Sequence, residues 1–399
     1  MKMAESTTVP TAEQSGGRIY LDNAATSWPK PPAVVAAIAD FYTAVGSPAG
    51  RGNPTSEFSS DGIVQKCRSE LREFIGGGPD DQIVFAFNGT DAINISLFGF
   101  LNHGDHVVTT SIEHNSVMRP LEMMRQSHEL RITVVQCDAD GTVSPGDIRD
   151  AIQPNTKMVI FSHASNVTGI IQDAQTIGAL CRERKIAFML DAAQTVGQLP
   201  IDVSKIGCDM LAAPGHKGLL GPLGTGFLYI AERVAEQVRP WRAGGTGTKS
   251  ELSTQPTEYP ARLESGNMNV GGLAGLRAGL EFVKSVGVAA IQQHEQQLVS
   301  RIVERLENEP RIKLYCATGL NRVGVLSLNI DQFDPREAVL ILDSSFGIQV
   351  RAGFHCAPGM HHSLGTFELG GTIRISPGWF STETEIDRLA DAITEIANV

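Results

Sequence analysis

Apolar positions follow two rhythms along the chain. Seven short runs, at residues 83–87, 106–109, 132–135, 158–161, 186–190, 210–213 and 226–230, are apolar almost throughout. Each ends in polar residues, and stretches of helical spacing lie between them. That alternation predicts an α/β fold on a mixed, mainly parallel sheet whose strands are buried on both faces and flanked by helices. Ahead of it, 33–45 is helical by propensity, and Ile63, Val64, Cys67, Leu71 and Phe74 share one helix face within 59–75. Residues 46–54 read as loop. After the seventh run, 239–272 is mostly loop, and one long helical pattern spans 273–306. Strands are then expected at 323–330, 348–351 and 372–375, with helices at 336–345 and 382–397. This order predicts a large domain over 18–280 and a smaller C-terminal α+β domain over 281–399. Residues 1–17 are expected to be disordered, and the N-terminal part of the large domain is free to pack on the small one.

Composition narrows the possibilities. A chain of 399 residues has room for more than one core. Its 44 acidic and 33 basic side chains give a formal charge of -11, which opposes nucleic acid and anionic membrane as partners. A local basic pocket for a phosphate remains compatible with that balance. The first 17 residues lack the apolar block of a secretory signal, and no apolar stretch is long enough to span a bilayer. The six cysteines are scattered without a CxxC pair, as expected of reduced thiols in a cytoplasmic setting.

Ligands of such sheets sit beyond the carboxyl ends of the strands. Lys217 follows the sixth run inside a glycine-rich turn, where partial desolvation would lower its pKa and make its amine nucleophilic toward an aldehyde. An arbitrary loop lysine is more often simply solvated. Asp191 ends the fifth run and would suit a protonated pyridine nitrogen, although alone it reads as a turn or cap. Together the two favour the cofactor reading. Thr90 stands where a helix opens, a position that suits phosphate or an ordinary N-cap. His114 would lie over a planar ring or move protons, unless it is a satisfied core histidine. Asn166 would reach a substrate or cofactor oxygen, unless it belongs to a polar turn. Cys356 lies in a Gly/Pro loop with Arg351, His355, His361 and His362, an electropositive setting that favours thiolate. A metal site there fails on ligand spacing, so no metal is expected. Arg374 would fork onto a carboxylate or form a structural ion pair.

These pieces, in this order, resemble the class V aminotransferases among the fold-type I pyridoxal-5′-phosphate (PLP) enzymes, and within them the cysteine desulfurases. The resemblance runs from about Tyr20 to the C-terminus. It is carried by residues 20–26, by Glu113 and His114, Ser165 and Asn166, Asp191 and Gln194, His216 and Lys217, and Arg351 through Cys356. The short cysteine loop is similar to that of sulfur-mobilisation desulfurases and selenocysteine lyases. The resemblance implies that Lys217 holds PLP as a Schiff base and moves the Cα proton, while Asp191 pairs with the ring nitrogen and His114 stacks on the ring. Gln194 and Asn166 would contact ring or substrate oxygens, and Thr90 and His216 the phosphate. Arg374 would bind the substrate carboxylate, with Asn166 and Arg351 also counted among the substrate-binding residues. Cys356 would take sulfur from L-cysteine as a persulfide, releasing alanine. L-selenocysteine as substrate, a sulfur-acceptor protein and a homodimer are further implications.

Three positions depart from the family pattern. Pro214 stands where many relatives carry a phosphate-binding hydroxyl. Asn267 stands where relatives place a Thr that reaches the partner subunit's phosphate. Residues 357–362 are not the usual continuation after the cysteine. Another class V enzyme, such as a C–S lyase, transaminase or epimerase that leaves Cys356 idle, is the competing reading. A PLP-binding regulator would need a basic DNA-binding domain, for which there is no room before Tyr20.

Overall fold

The computed structural model describes residues 17–50, 59–249, 251–315 and 321–399. The disorder expected of residues 1–17 falls outside these except at Gly17, as does the end of the 46–54 loop. A short strand, β1 (Ile19–Tyr20), leads to helix α1 (Pro32–Asp40). Here the expected helix is shorter than predicted: Phe41–Val45 widens into a π turn, closed by Gly46 in the left-handed conformation. Helix α2 (Ser60–Phe74) is capped by Ser59, whose hydroxyl accepts from the Gly62 N–H.

The alternating region then runs β2 (Gln82–Ala86), α3 (Gly89–Phe100), β3 (His106–Thr110), α4 (Asn115–Ser127), β4 (Arg131–Val135), α5 (Pro145–Ala151), β5 (Thr156–Ser162), α6 (Ala174–Arg184), β6 (Ala187–Asp191), α7 (Val203–Ile206), β7 (Met210–Pro214) and β8 (Gly226–Ile230). All seven expected strands are present and join one sheet in the order β2-β8-β7-β6-β5-β3-β4. Its β7-β6-β5-β3-β4 portion is parallel, and β8 pairs antiparallel with both β7 and β2. Every residue of β6, β7 and β8 is buried, which is why these segments show no polar alternation.

After a short α8 (Glu232–Ala235), the 273–306 pattern proves to be two helices, α9 (Val270–Val286) and α10 (Val288–Leu306). Gly287, with φ of 90°, breaks them apart, while the apolar period continues across it from Val286 to Val288. The remaining elements are β9 (Ile312–Tyr315), β10 (Leu326–Ile330), α11 (Pro335–Phe346), β11 (Ile348–Gln349), β12 (Arg351–Gly353), α12 (Pro358–Leu364), β13 (Thr372–Ile375) and α13 (Glu383–Ala397). The strand expected at 348–351 is thus split between two sheets: β11 pairs parallel with β1, and β12 joins the antiparallel sheet β12-β13-β10-β9.

Two large apolar cores result. One gathers the seven-stranded sheet with Val270, Leu273, Leu276 and Leu280 of α9. The other gathers Ile19 and Leu21 with Leu298 and Ile302 of α10, Leu328, Leu342 and Ile373, and Leu389 and Ile393 of α13. The chain therefore enters through the C-terminal core before building the large sheet. No described helix is long and apolar enough to cross a membrane.

Candidate active site

Parallel strands deliver their carboxyl ends to one side, and that side carries a cleft of about 430 Å³. This is within the usual range for a small-molecule site. Thr90, His114, Asn166, Asp191, Gln194, His216, Lys217, Arg351 and Arg374 all line it. Asp191 is the last residue of β6, and Lys217 follows β7 by three residues. The lysine turn is held from outside by the N-terminal segment. Ser27 Oγ donates to the carbonyls of His216 (3.0 Å) and Lys217 (2.9 Å), and Lys30 Nζ donates to Ser27 Oγ (2.7 Å) and His216 O (2.9 Å).

Burial sets the charges. It lowers the pKa of Lys217 to about 8; Asp191 opposes the shift, and Arg374 and Arg351 add to it. Burial also raises Asp191, with the Ala193 N–H (2.9 Å to Oδ1) and Lys217 pulling the other way. His114 is pushed down to about 4 by burial and by the surrounding cations, so it is neutral near pH 7. Its Nδ1 caps α4, accepting from the Ser116 N–H at 3.0 Å. The ring proton is therefore on Nε2, and the orientation of the imidazole is fixed. Burial and the neighbouring Lys217 and Lys30 lower His216 to about 4, and its buried Nδ1 lacks a hydrogen-bond partner.

Helix α3 points its N-terminus at this cleft. Its cap is Asn88, whose Oδ1 accepts from Asp91 N at 2.9 Å, so the alternative of Thr90 as the cap does not hold. Pro214 lines the cleft and packs against Gly89, where an added Cβ would come within 3.3 Å of Pro214 Cδ. Gln194 donates to Ala24 O (3.1 Å) and Asn166 to His355 O (2.6 Å), so both amides also tie cleft walls together. Arg374 is almost wholly buried and pairs with Asp22 at 2.5 Å while donating to Asn166 O at 3.2 Å. Its Nε is left without a partner.

Cys356 stands beside the cleft, with Arg351 Nη2 at 3.7 Å from Sγ. His355 and Cys356 both adopt left-handed backbone conformations, φ of 48° and 61°, an uncommon arrangement for side-chain-bearing residues. Two hydrogen bonds over-determine it: Asn166 to His355 O, and the Asn115 N–H to Cys356 O (2.6 Å). The expectation of a loop ringed by cationic histidines needs correction. Pro358–Leu364 is a helix with Pro358 in its first turn, where a missing N–H costs nothing. His355 Nε2 engages Thr372, His361 Nδ1 engages Thr366 Oγ1 at 2.7 Å, and His362 stacks on Phe367. Burial keeps His355 and His361 neutral, so Arg351 is the charge in contact with the thiol.

Asn267 does not line this cleft. It borders an adjoining depression with Arg242, Glu264 and Met268, and the two share Phe87 and Gly224. Nothing in the sequence marks Lys30, because it reaches the lysine turn only through tertiary packing, whereas Ser162, directly after the fourth apolar run, lines the cleft as chain polarity leads one to expect.

The model of the aminotransferase class-V family matches residues 19–389. A probable cysteine desulfurase from Methanothermobacter thermautotrophicus is 36% identical over 96% of this chain and 95% of its own length. A cysteine desulfurase from Serratia proteamaculans is 31% identical over 94% and 93%. Among solved structures, the apo cysteine desulfurase of Thermococcus onnurineus superposes with a TM-score of 0.90 at 30% identity, covering both chains fully. With the matched region spanning both cores and the cleft between strand ends, the chain belongs to the class-V aminotransferase family, in the company of its cysteine desulfurases.

Proposed function

We propose that the chain is a PLP-dependent cysteine desulfurase that converts L-cysteine to L-alanine and carries the sulfur as a Cys356 persulfide. The observation that carries this reading is the opposition, in one cleft, of a buried lysine to a buried carboxylate, with an Arg-contacted cysteine alongside. The donor set fits PLP: an amine of lowered pKa for the aldehyde, a carboxylate for the ring nitrogen, and a neutral imidazole for the ring face. The partnerless His216 Nδ1 and the α3 N-terminus with Thr90 suit the phosphate.

When bound, PLP supplies an electron sink for the substrate's Cα. Lys217 Nζ moves the Cα proton, and Arg374, whose guanidinium also pairs with Asp22, holds the substrate carboxylate. Cys356 thiolate attacks the substrate sulfur. The S–S bond forms as the substrate's C–S bond breaks, and a proton returned to carbon completes alanine. Atoms balance without an outside oxidant, since cysteine plus enzyme thiol equals alanine plus enzyme persulfide. The sulfur then awaits an acceptor.

Phe87 (53% exposed) and Leu223 (67% exposed) stand at the cleft mouth, and Trp241 is also partly exposed nearby in sequence to Arg242. Such apolar exposure supports a homodimer in which Asn267 faces the other subunit's site. The test is alanine formation from L-cysteine by the PLP-loaded protein. Lys217→Ala and Cys356→Ala should each lose it by ~10²-fold or more. Retained turnover in Cys356→Ala would move the chain to the C–S lyases.

A further inference from the structure

Glu113 is part of the sequence pattern, yet the reaction above gives it no task. Its side chain turns inward from the β3–α4 turn and is 1% exposed. Oε1 accepts from Thr110 Oγ1 (2.5 Å) and Ser162 N (3.1 Å), and Oε2 from Ser162 Oγ (2.9 Å). Ser162 is the last residue of β5 and the register partner of Asp191 on β6. Two buried carboxylates thus flank Ser162: Glu113, behind the cleft, accepts from its hydroxyl and N–H, and Asp191, in the cleft, stands beside it in register on the next strand. Ser162 itself lines the cleft.

Two carboxylates this close in a water-poor setting do not both ionise readily. Asp191 has Lys217 to favour its ionised form, whereas burial and the charge of Asp191 push Glu113 up to about 8. The other titratable groups nearby bring no cation to Glu113: His114, next in the chain, and His163, which follows β5, are each held neutral by burial at about 4. The Ser162 hydroxyl is suited to both states. It accepts from a protonated Glu113 and donates to an ionised one.

Resting on the reading that the cleft takes PLP, we propose that Glu113 is a positioning residue that holds a proton while the cleft is empty and gives it up when the cofactor's cationic ring nitrogen pairs with Asp191. The ring charge offsets that of Asp191, which removes the obstacle to a second carboxylate. Glu113 then ionises, three donors satisfy it, and the Ser162 hydroxyl turns its proton inward. The added negative charge behind Asp191 keeps the ring nitrogen protonated to higher pH. The proton goes to solvent, so cofactor binding and pH are linked through a residue that touches neither cofactor nor substrate.

The experiment is calorimetric titration of PLP into the apo forms of the wild type and Glu113→Gln, between pH 6 and 9.5, in buffers of different ionisation heat. Protons released at Lys217 are common to both. At pH 7 the wild type should release at least half a proton more than Glu113→Gln, and the difference should vanish above about pH 9. Equal release at every pH overturns the proposal, while equal release accompanied by normal PLP binding leaves the desulfurase reading standing. Absence of PLP binding in the wild type overturns both. Should Glu113→Gln fail to fold, infrared difference spectra of the wild type decide the matter. The protonated-carboxyl stretch should disappear on PLP addition, and its persistence refutes the proposal.

Discussion

Desolvation decides the behaviour of the single residues here. Lys217 is held near pKa 8 because its ammonium has lost water and faces two arginines, with Asp191 only partly restoring it. The rate at which the apo protein captures PLP should therefore rise through about pH 8 and level off above it. A rate still climbing toward pH 10 would describe an ordinary lysine. Arg351 is the guanidinium in contact with Cys356, so Arg351→Met should slow alkylation of that thiol ~3- to 10-fold at pH 7. The sequence made Lys217 and Asp191 legible because each follows a buried strand, where chain polarity alone places it at the ligand side. It could not show that His355 and His361 turn away from the thiol, because a loop sequence does not state which hydrogen bonds its histidines make. The raised pKa of Glu113 was hidden for the same reason: it arises from burial in the folded chain, with the charge of Asp191, far away in sequence, adding to it against the Thr110 and Ser162 hydrogen bonds.

Strands were readable where apolar residues run together. Six strands of the large sheet do so because they are almost wholly buried. The edge strand β4 does so through Ile132, Val134 and Val135 although only Val135 is buried, whereas the edge strand β9 escaped because exposed Lys313 interrupts it. The break at Gly287 was masked by an apolar period that runs through it, and α12 by the proline and glycine that open it. Two changes test how elements support the site. Gly197 has φ of 86°, and an added Cβ would lie 2.3 Å from Gly218 O, against the lysine turn. Gly197→Ala should cost about 1–3 kcal/mol and lower bound PLP, read by thermal melting and cofactor absorbance. Helix α13 begins with a capping box in which Thr382 and Glu385 exchange bonds. Thr382→Ala should cost about 1 kcal/mol in urea unfolding while leaving cofactor content unchanged.

At the scale of the whole molecule, α10 links the cores: its Leu298 and Ile302 belong to the C-terminal one, while Glu295 faces a small cavity also bordered by Lys217, Gly218 and Gln198. Glu295 is buried, its Oε2 has no hydrogen-bond partner, and burial raises its pKa from 4.5 to about 8. The folded state therefore binds a proton that the unfolded chain has already released. Relative to a non-titrating side chain, stability is undiminished below about pH 4.5 and declines as pH rises toward 8. Glu295→Gln should remove this decline, gaining on the order of 2–4 kcal/mol over the wild type between pH 5 and 8. Denaturant midpoints at the two pH values measure it, and parallel pH profiles for the two proteins would contradict it.

The central claim is that Lys217 and Cys356 act in one reaction that leaves sulfur on the enzyme. The direct measurement is the intact mass of the PLP-loaded protein after exposure to L-cysteine without reductant, followed by peptide mapping. The account predicts one added sulfur on Cys356, absent from Lys217→Ala. Consumption of L-cysteine with Cys356 unmodified would contradict it.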